Sequence, residues 1–279
     1  MVPGLFVVLW STGFIGAKLG LPYAEPFTFL SLRFVCVLAI LLPICFVWRA
    51  PWPTGNGLIH MAIAGTLIQA GYLGGTFASL HHGMPAGLSA LISGLQPVLT
   101  AVLSDWLLRE RVSARQWSGL VLGLVGVALV VWERTTVQTL TVSAIALSVL
   151  ALAGITVGTI WQKRHGGAID LRTGAAIQFG AAAVVLGPFA LLLESHQVRW
   201  SGAFVFALAW LVVVLSLGAV FLLLYLIRQG AATRVASLFY LVPPTTALIA
   251  WPLFDESYGI MAAAGMGLGM LAVWLVTKS

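Results

Sequence analysis

The chain has 279 residues, of which 60% are hydrophobic and 8% charged, and it carries a formal net charge of +6. Soluble domains have roughly a quarter of their residues charged, so no soluble fold hides this much apolar side chain, and a soluble domain of any size is excluded. The positive charge does not indicate nucleic acid, because the basic residues are dispersed through apolar sequence and read as topology signals.

Cutting the chain at polar or Gly/Pro-rich breaks gives apolar segments near 3–20, 26–48, 58–80, 84–106, 115–132, 141–163, 172–193, 203–227, 233–253 and 257–277. Each has about the 20 residues a spanning helix needs, and none alternates by twos as a membrane strand does. The first segment, from Pro3, has no basic leader and no small-residue cleavage site, so it is read as a mature helix. Cys36 and Cys45 share the second segment. Nine residues of helix separate them by roughly 13 Å, too far to bridge.

Lys and Arg in alternate loops set the expected orientation. With the N-terminus inside, the cytoplasmic loops hold Arg49, Arg109, Arg111, Arg115, Lys163, Arg164, Arg172, Arg228, Arg234 and Lys278, ten in all, against Lys18, Arg134 and Arg199 on the other side. Both termini are therefore expected in the cytoplasm, in a membrane of the bacterial inner-membrane type. The remaining basic residue, Arg33, lies inside the second span.

The two halves match when slid over one another. Phe34 and Pro43 correspond to Phe179 and Pro188 at an offset of 145, Gly83 and Pro97 to Gly230 and Pro244 at 147, and Gly119 and Gly123 to Gly265 and Gly269 at 146. Three blocks at nearly one offset argue for an internal duplication, with repeats at 1–135 and 136–279. Each repeat has five spans, an odd number, so the second copy enters the membrane inverted. The expected fold is thus an all-α integral membrane protein of ten transmembrane helices in two inverted five-helix repeats. Inverted repeats are characteristic of secondary transporters.

Trp10-Ser11-Thr12-Gly13-Phe14, Pro26 with Leu32-Arg33-Phe34, the stretch from Gly83 through Pro97, and Glu110 followed by Gly119, Gly123 and Gly126, echoed by Glu256, Gly265 and Gly269, carry a family likeness. In their order and spacing the chain resembles the EamA-type members of the drug/metabolite transporter superfamily over essentially its whole length, and is similar to the YddG-type amino-acid exporters within it. The resemblance implies a ten-helix exporter of amino acids or other metabolites.

Candidate substrate-binding residues follow from the cost of burying polar groups without partners. Gln69 and Tyr72 in the third span, Ser93 and Gln96 in the fourth and Tyr240 in the ninth lie near mid-membrane. Trp10 lies deep in the first span and is a candidate cavity wall, and Trp161 and Gln162 near the inner end of the sixth are candidates for an inner gate. Pro97 and the pair Pro243-Pro244 fall at corresponding positions of the two halves and are expected to act as hinges. Arg33 and its counterpart Gln178 suggest a repeated bond between helices, favoured over a contact to a substrate carboxylate. The spaced glycines indicate close helix packing.

All eight carboxylates lie at span ends or in loops. A proton-driven exporter of cations lacks its central acid here, and phosphorylated substrates lack enough cations. A neutral or zwitterionic metabolite fits best, with a broad drug exporter as the alternative and a membrane-embedded receptor or enzyme behind it. No metal or catalytic constellation is visible. No cofactor is expected, and the expected partners are the small-molecule substrate and the lipid bilayer, with a monomer sufficient and no nucleic acid.

Overall fold

A computed structural model describes residues 2–108, 113–137, 140–229, 238–239, 241–254 and 259–277. All its regular elements among these residues are helices: α1 Val2–Gly20, α2 Pro26–Val47, α3 Asn56–His81, α4 Ala86–Ser93, α5 Gln96–Leu108, α6 Ala114–Val137, α7 Val142–His165, α8 Leu171–Leu193, α9 Gly202–Gln229, α10 Val242–Phe254 and α11 Ile260–Thr277. Six of them (α1, α2, α3, α7, α8 and α9) are long and apolar enough to cross a membrane, and the apolar stretches of α4, α6, α10 and α11 are shorter. The fourth apolar segment is shortened for a visible reason. It breaks at Gly94 and Leu95, where Leu95 N–H turns back to the Ile92 carbonyl at 3.0 Å and α5 begins. The beginning of the ninth segment lies within 230–237, outside the described residues.

Large apolar side chains face outward all round the bundle, among them Phe46, Val142, Val184, Leu192 and Leu248. In water such a surface drives association; around a membrane bundle it meets lipid. The interior is filled instead by Phe6, Phe29, Phe34, Phe77, Phe179 and Phe204, all fully buried.

Two helices depart from regular α geometry, and they do so at matching places. α3 widens to an i→i+5 turn over Thr66–Tyr72, and α9 does the same over Leu211–Ala219, at offsets of 145 and 147 from its counterpart. Such turns are rare and recur at functional sites. Helices from the opposite half press on each. Gly13 and Gly16 of α1 let Leu211 and Leu215 of the α9 turn come within 3.0 and 3.1 Å of where a side chain would begin. Across the molecule, Gly154 of α7 leaves only 2.8 Å to the Leu67 carbonyl and 2.9 Å to the Tyr72 amide of the α3 turn, and Gly158 abuts Ile68. Gly13 and Gly158 are themselves 145 apart. The spaced glycines of the fifth and tenth segments behave alike, with Gly126 of α6 facing the Gly265 carbonyl of α11 at 2.6 Å from a would-be side chain.

The loops gather at two ends. At one, Thr173 donates to the Pro51 carbonyl at 2.8 Å and Lys163 to the Ile227 carbonyl at 3.1 Å, joining the connections that follow α2, α7 and α9. At the other, the Glu25 carboxylate accepts the amide and hydroxyl of Ser195, each at 2.6 Å. Glu194 there accepts Phe27 N–H at 2.8 Å and Thr28 N–H at 2.6 Å, supplying the anionic cap that the N-terminus of α2 favours. Arg199 reaches the Pro22 carbonyl at the same end, and Thr141 donates to the His82 carbonyl at 3.4 Å beside Gly83, whose φ of 89° suits only glycine. Ser195's bonds hold the Glu25 carboxyl below its usual range. Asp170 caps α8 through Arg172 N–H at 2.9 Å, and its bond to the Arg172 guanidinium keeps its own carboxyl low.

Two outcomes test this packing. Gly154→Leu forces α7 off the α3 turn and should cost about 1–3 kcal/mol, read as a lower apparent Tm in detergent, whereas Gly180→Leu, with nothing within 4 Å, should leave it unchanged. Asp170→Ala should cost about 1 kcal/mol at pH 7. Because the folded-state pKa of Asp170 is depressed, its contribution is fully present above the ordinary aspartate value of about 4 and is lost only as pH falls through the lower folded value, so variant and parent Tm should draw together as pH is taken downward from about 4.

Candidate functional site

The wide turn of α3 aims Gln69 and Tyr72 inward, and the wide turn of α9 brings Leu215 opposite them. Between these turns lies a cavity of about 30 Å³, closed on its other sides by Trp10 and Phe14 of α1, Arg33 of α2, and Thr76 and Phe77 of α3. A water needs roughly 10–15 Å³ of such space, so the cavity has room for about two waters.

The wall is ordered by specific contacts. Trp10 Nε1–H donates to the Tyr72 hydroxyl at 3.3 Å, and the two rings lie nearly parallel, 11° apart with centroids at 6.1 Å. Phe239 meets Trp10 edge-on at 5.2 Å and Phe6 at 5.4 Å, which fixes the indole from behind. Ser93 adjoins the Tyr72 hydroxyl. Arg33 is 2% exposed, and its Nε–H donates at 2.9 Å to Ser216 Oγ, whose own hydroxyl donates to the Leu211 carbonyl at 3.1 Å. The guanidinium is thus tied to the wide turn of α9. Buried Gln69 Nε2 and Thr76 Oγ1 have no partner among the described residues.

Of the residues singled out from the sequence, Trp10, Gln69 and Tyr72 share the cavity and Ser93 stands beside it. Gln96 is buried elsewhere, donating to Thr159 of α7 at 3.1 Å. Trp161 packs towards the end where α7 stops, with His165 at 4.5 Å, and His165 stacks on His60 at 4.0 Å. Gln162 accepts from Gln178 at 3.0 Å, so the counterpart of Arg33 also makes a bond between helices. Tyr240 lies outside the described residues. Pro97, Pro243 and Pro244 do not interrupt a continuous helix: each lies in the first turn of a new one, where a missing N–H costs nothing. Gly94, at the break before α5, packs on Pro243 at 2.8 Å from a would-be side chain, so the fourth-segment break meets the start of α10. Pro243 and Pro244 border a separate small hollow with Leu91, Gly123 and Met266. Arg33, for which a bond between helices was favoured over a contact to a substrate carboxylate, makes that bond and also stands on the cavity wall. The pair Gly71 and Gly218, 147 apart and each inside a wide turn, was the available signal for the turns.

The sequence profile of the EamA-like transporter family matches twice, over residues 4–132 and 140–278. The chain belongs to the EamA-like transporter family. Members of this family are transporters, not enzymes. A relative named "Probable amino-acid metabolite efflux pump" from Salmonella typhimurium is 26% identical, over 97% of this chain and 92% of its own length. An "Uncharacterized transporter YvbV" from Bacillus subtilis is 27% identical, over 98% and 90%. A crystal structure 19% identical in sequence superposes with a TM-score of 0.73, covering 99% of this chain and 95% of the other, which establishes the shared fold.

Tyr72→Phe removes the acceptor for the Trp10 indole and leaves a buried N–H unpaired. A stability loss of about 1–3 kcal/mol is expected, read as a lower apparent Tm, together with slower uptake. Gln69→Leu should slow uptake with little change in Tm, since its amide nitrogen has no protein partner to lose.

Proposed function

We propose that this EamA-like protein exports small neutral or zwitterionic metabolites, amino acids in particular, by alternating access through the cavity between the two wide turns. The carrying observation is the symmetry of the cavity: each wall turn belongs to a different half, and the two turns fall at offsets of 145 and 147. Swapping the conformations of two such related units exchanges access between the two sides of a membrane. The name of the Salmonella typhimurium relative supports amino acids as the substrate class.

In this reading the repeats 1–135 and 136–279 each supply five spans, ten in all, and the second is inverted. The hydrogen bonds at the bundle ends support the inversion: the C-terminal end of α1, at Pro22, lies with the N-terminal end of α7, at Thr141, through Arg199, Glu25, Ser195 and His82. Both termini then face the cytoplasm of a bacterial cell, as the Lys and Arg distribution requires. The breaks at Gly94 and before α10, which touch, are the hinges. Trp161, Gln162 and Gln96 line the route towards one end, and Tyr240 is assigned to the substrate path by its place in the sequence.

A broad exporter of drug cations fits less well, because no carboxylate among the described residues faces the cavity. For the same reason transport is expected to proceed without an imposed proton gradient. Uptake of a labelled amino-acid panel into proteoliposomes, with and without a pH gradient, tests both points. Saturable uptake of at least one amino acid without a gradient is the expected result. Accumulation only when a pH gradient is imposed overturns the uncoupled mechanism, and competition by large aromatic cations but by no amino acid favours the drug exporter.

A further inference from the structure

We propose that Arg33 is the anchor for a carboxylate group on the transported molecule, so that the cavity selects small monocarboxylates with an apolar body. This rests on the transport reading and names the chemistry of its site. The observation is a buried positive charge with no counter-ion: Arg33 is 2% exposed, and no carboxylate among the described residues pairs with it. An unpaired buried ion costs several kcal/mol, and a charge kept inside a membrane bundle marks a pathway or a ligand.

The arrangement favours an incoming anion. Among the described residues only Nε of the guanidinium is bonded, to Ser216, and that bond is fixed in turn by the wide turn of α9. The guanidinium edge that remains matches the geometry of a carboxylate, which it binds through two parallel bonds. Gln69 Nε2 and Thr76 Oγ1, both buried on the same wall without partners, add further donors. A single positive charge balances a monoanion and leaves a phosphate dianion half compensated. Phe14, Phe77 and Leu215 of the same wall offer apolar surface to the remainder of the molecule, and the Trp10 indole and Tyr72 hydroxyl beside them are bonded to each other. Because the Ser216 acceptor belongs to the second half and Arg33 to the first, a carboxylate bound here sits on a group that already joins the two halves.

The test uses the full-length protein in proteoliposomes loaded with L-leucine, with counterflow of labelled L-leucine as the readout. The competitors are unlabelled L-leucine, 4-methyl-2-oxopentanoate, which keeps the carboxylate and lacks the amine, and L-leucinamide, which keeps the amine and lacks the carboxylate. The wild type should be inhibited by the first two and at least tenfold more weakly by leucinamide, a comparison that needs no variant. Arg33→Lys should keep the preference for the acids, and Arg33→Met should lose it. If Arg33→Met gives no counterflow, thermal stabilisation of the detergent-solubilised variant by the same three compounds reads the preference directly. Equal inhibition of the wild type by leucine and leucinamide overturns the anchor and leaves amino-acid transport standing. An Arg33→Met protein with wild-type Tm and an unchanged preference for acids overturns it likewise. Failure of the wild type to transport or bind any member of an amino-acid panel removes the transport reading itself, and the anchor with it.

Discussion

Close contact between helix backbones at glycine is the constraint from which the rest of this structure follows. The first helix of each half lies against the wide turn in the third helix of the other half, through Gly13 and Gly16 on one side and Gly154 and Gly158 on the other. In a bilayer there is little hydrophobic drive between helices, so this kind of small-residue packing supplies the association. Because the contacts cross between halves, neither wide turn can shift without moving a helix of its partner. The cavity between the turns is lined by residues of both halves.

The polar bonds sort by depth in the same scheme. Near the cavity, Arg33 of the first half is bonded to Ser216 in the second, and Gln178 of the second half is bonded to Gln162 and approaches Met61 of the first at 3.8 Å. At one end of the bundle, Glu25 and Glu194 exchange contacts, each carboxylate accepting from the segment that follows the other half's loop. The Glu25 contacts are exposed and those of Glu194 partly buried, all of them bonds from N–H or O–H donors to a carboxylate. The buried bonds are fewer and dearer to break.

Much of the architecture was legible in the sequence. Apolar segments of spanning length gave the helices, and the matches at offsets of 145 to 147 gave the duplication, because both depend on patterns that survive without tertiary context. Trp10, Gln69 and Tyr72 were singled out because buried polar groups face a bundle interior, and they do share one cavity, where Trp10 and Tyr72 are bonded to each other. The wide turns were not, since no residue type demands an i→i+5 turn and Gly71 and Gly218 permit it without requiring it. The prolines were read as hinges that break the fourth and ninth spans. The fourth span instead ends at Gly94 and restarts, which places Pro97 at a helix start. Gln96 looked like a cavity residue by its depth. It is bonded to Thr159 of α7 and does not line the cavity between the wide turns.

Alternating access through the central cavity makes one geometric demand, that the two ends of the bundle open in opposition. Spin labels placed on the exposed residues Thr54 and Gln229 report one end, and labels on His82 and Ser195 the other, in a background where Cys36 and Cys45 are replaced by Ala. Pulsed electron-electron distance measurements on the protein in lipid, with and without a transported amino acid, then follow both ends. The account predicts reciprocal change, one distance distribution lengthening as the other shortens. Distances that lengthen together, or that stay fixed at both ends in a protein that transports, contradict it.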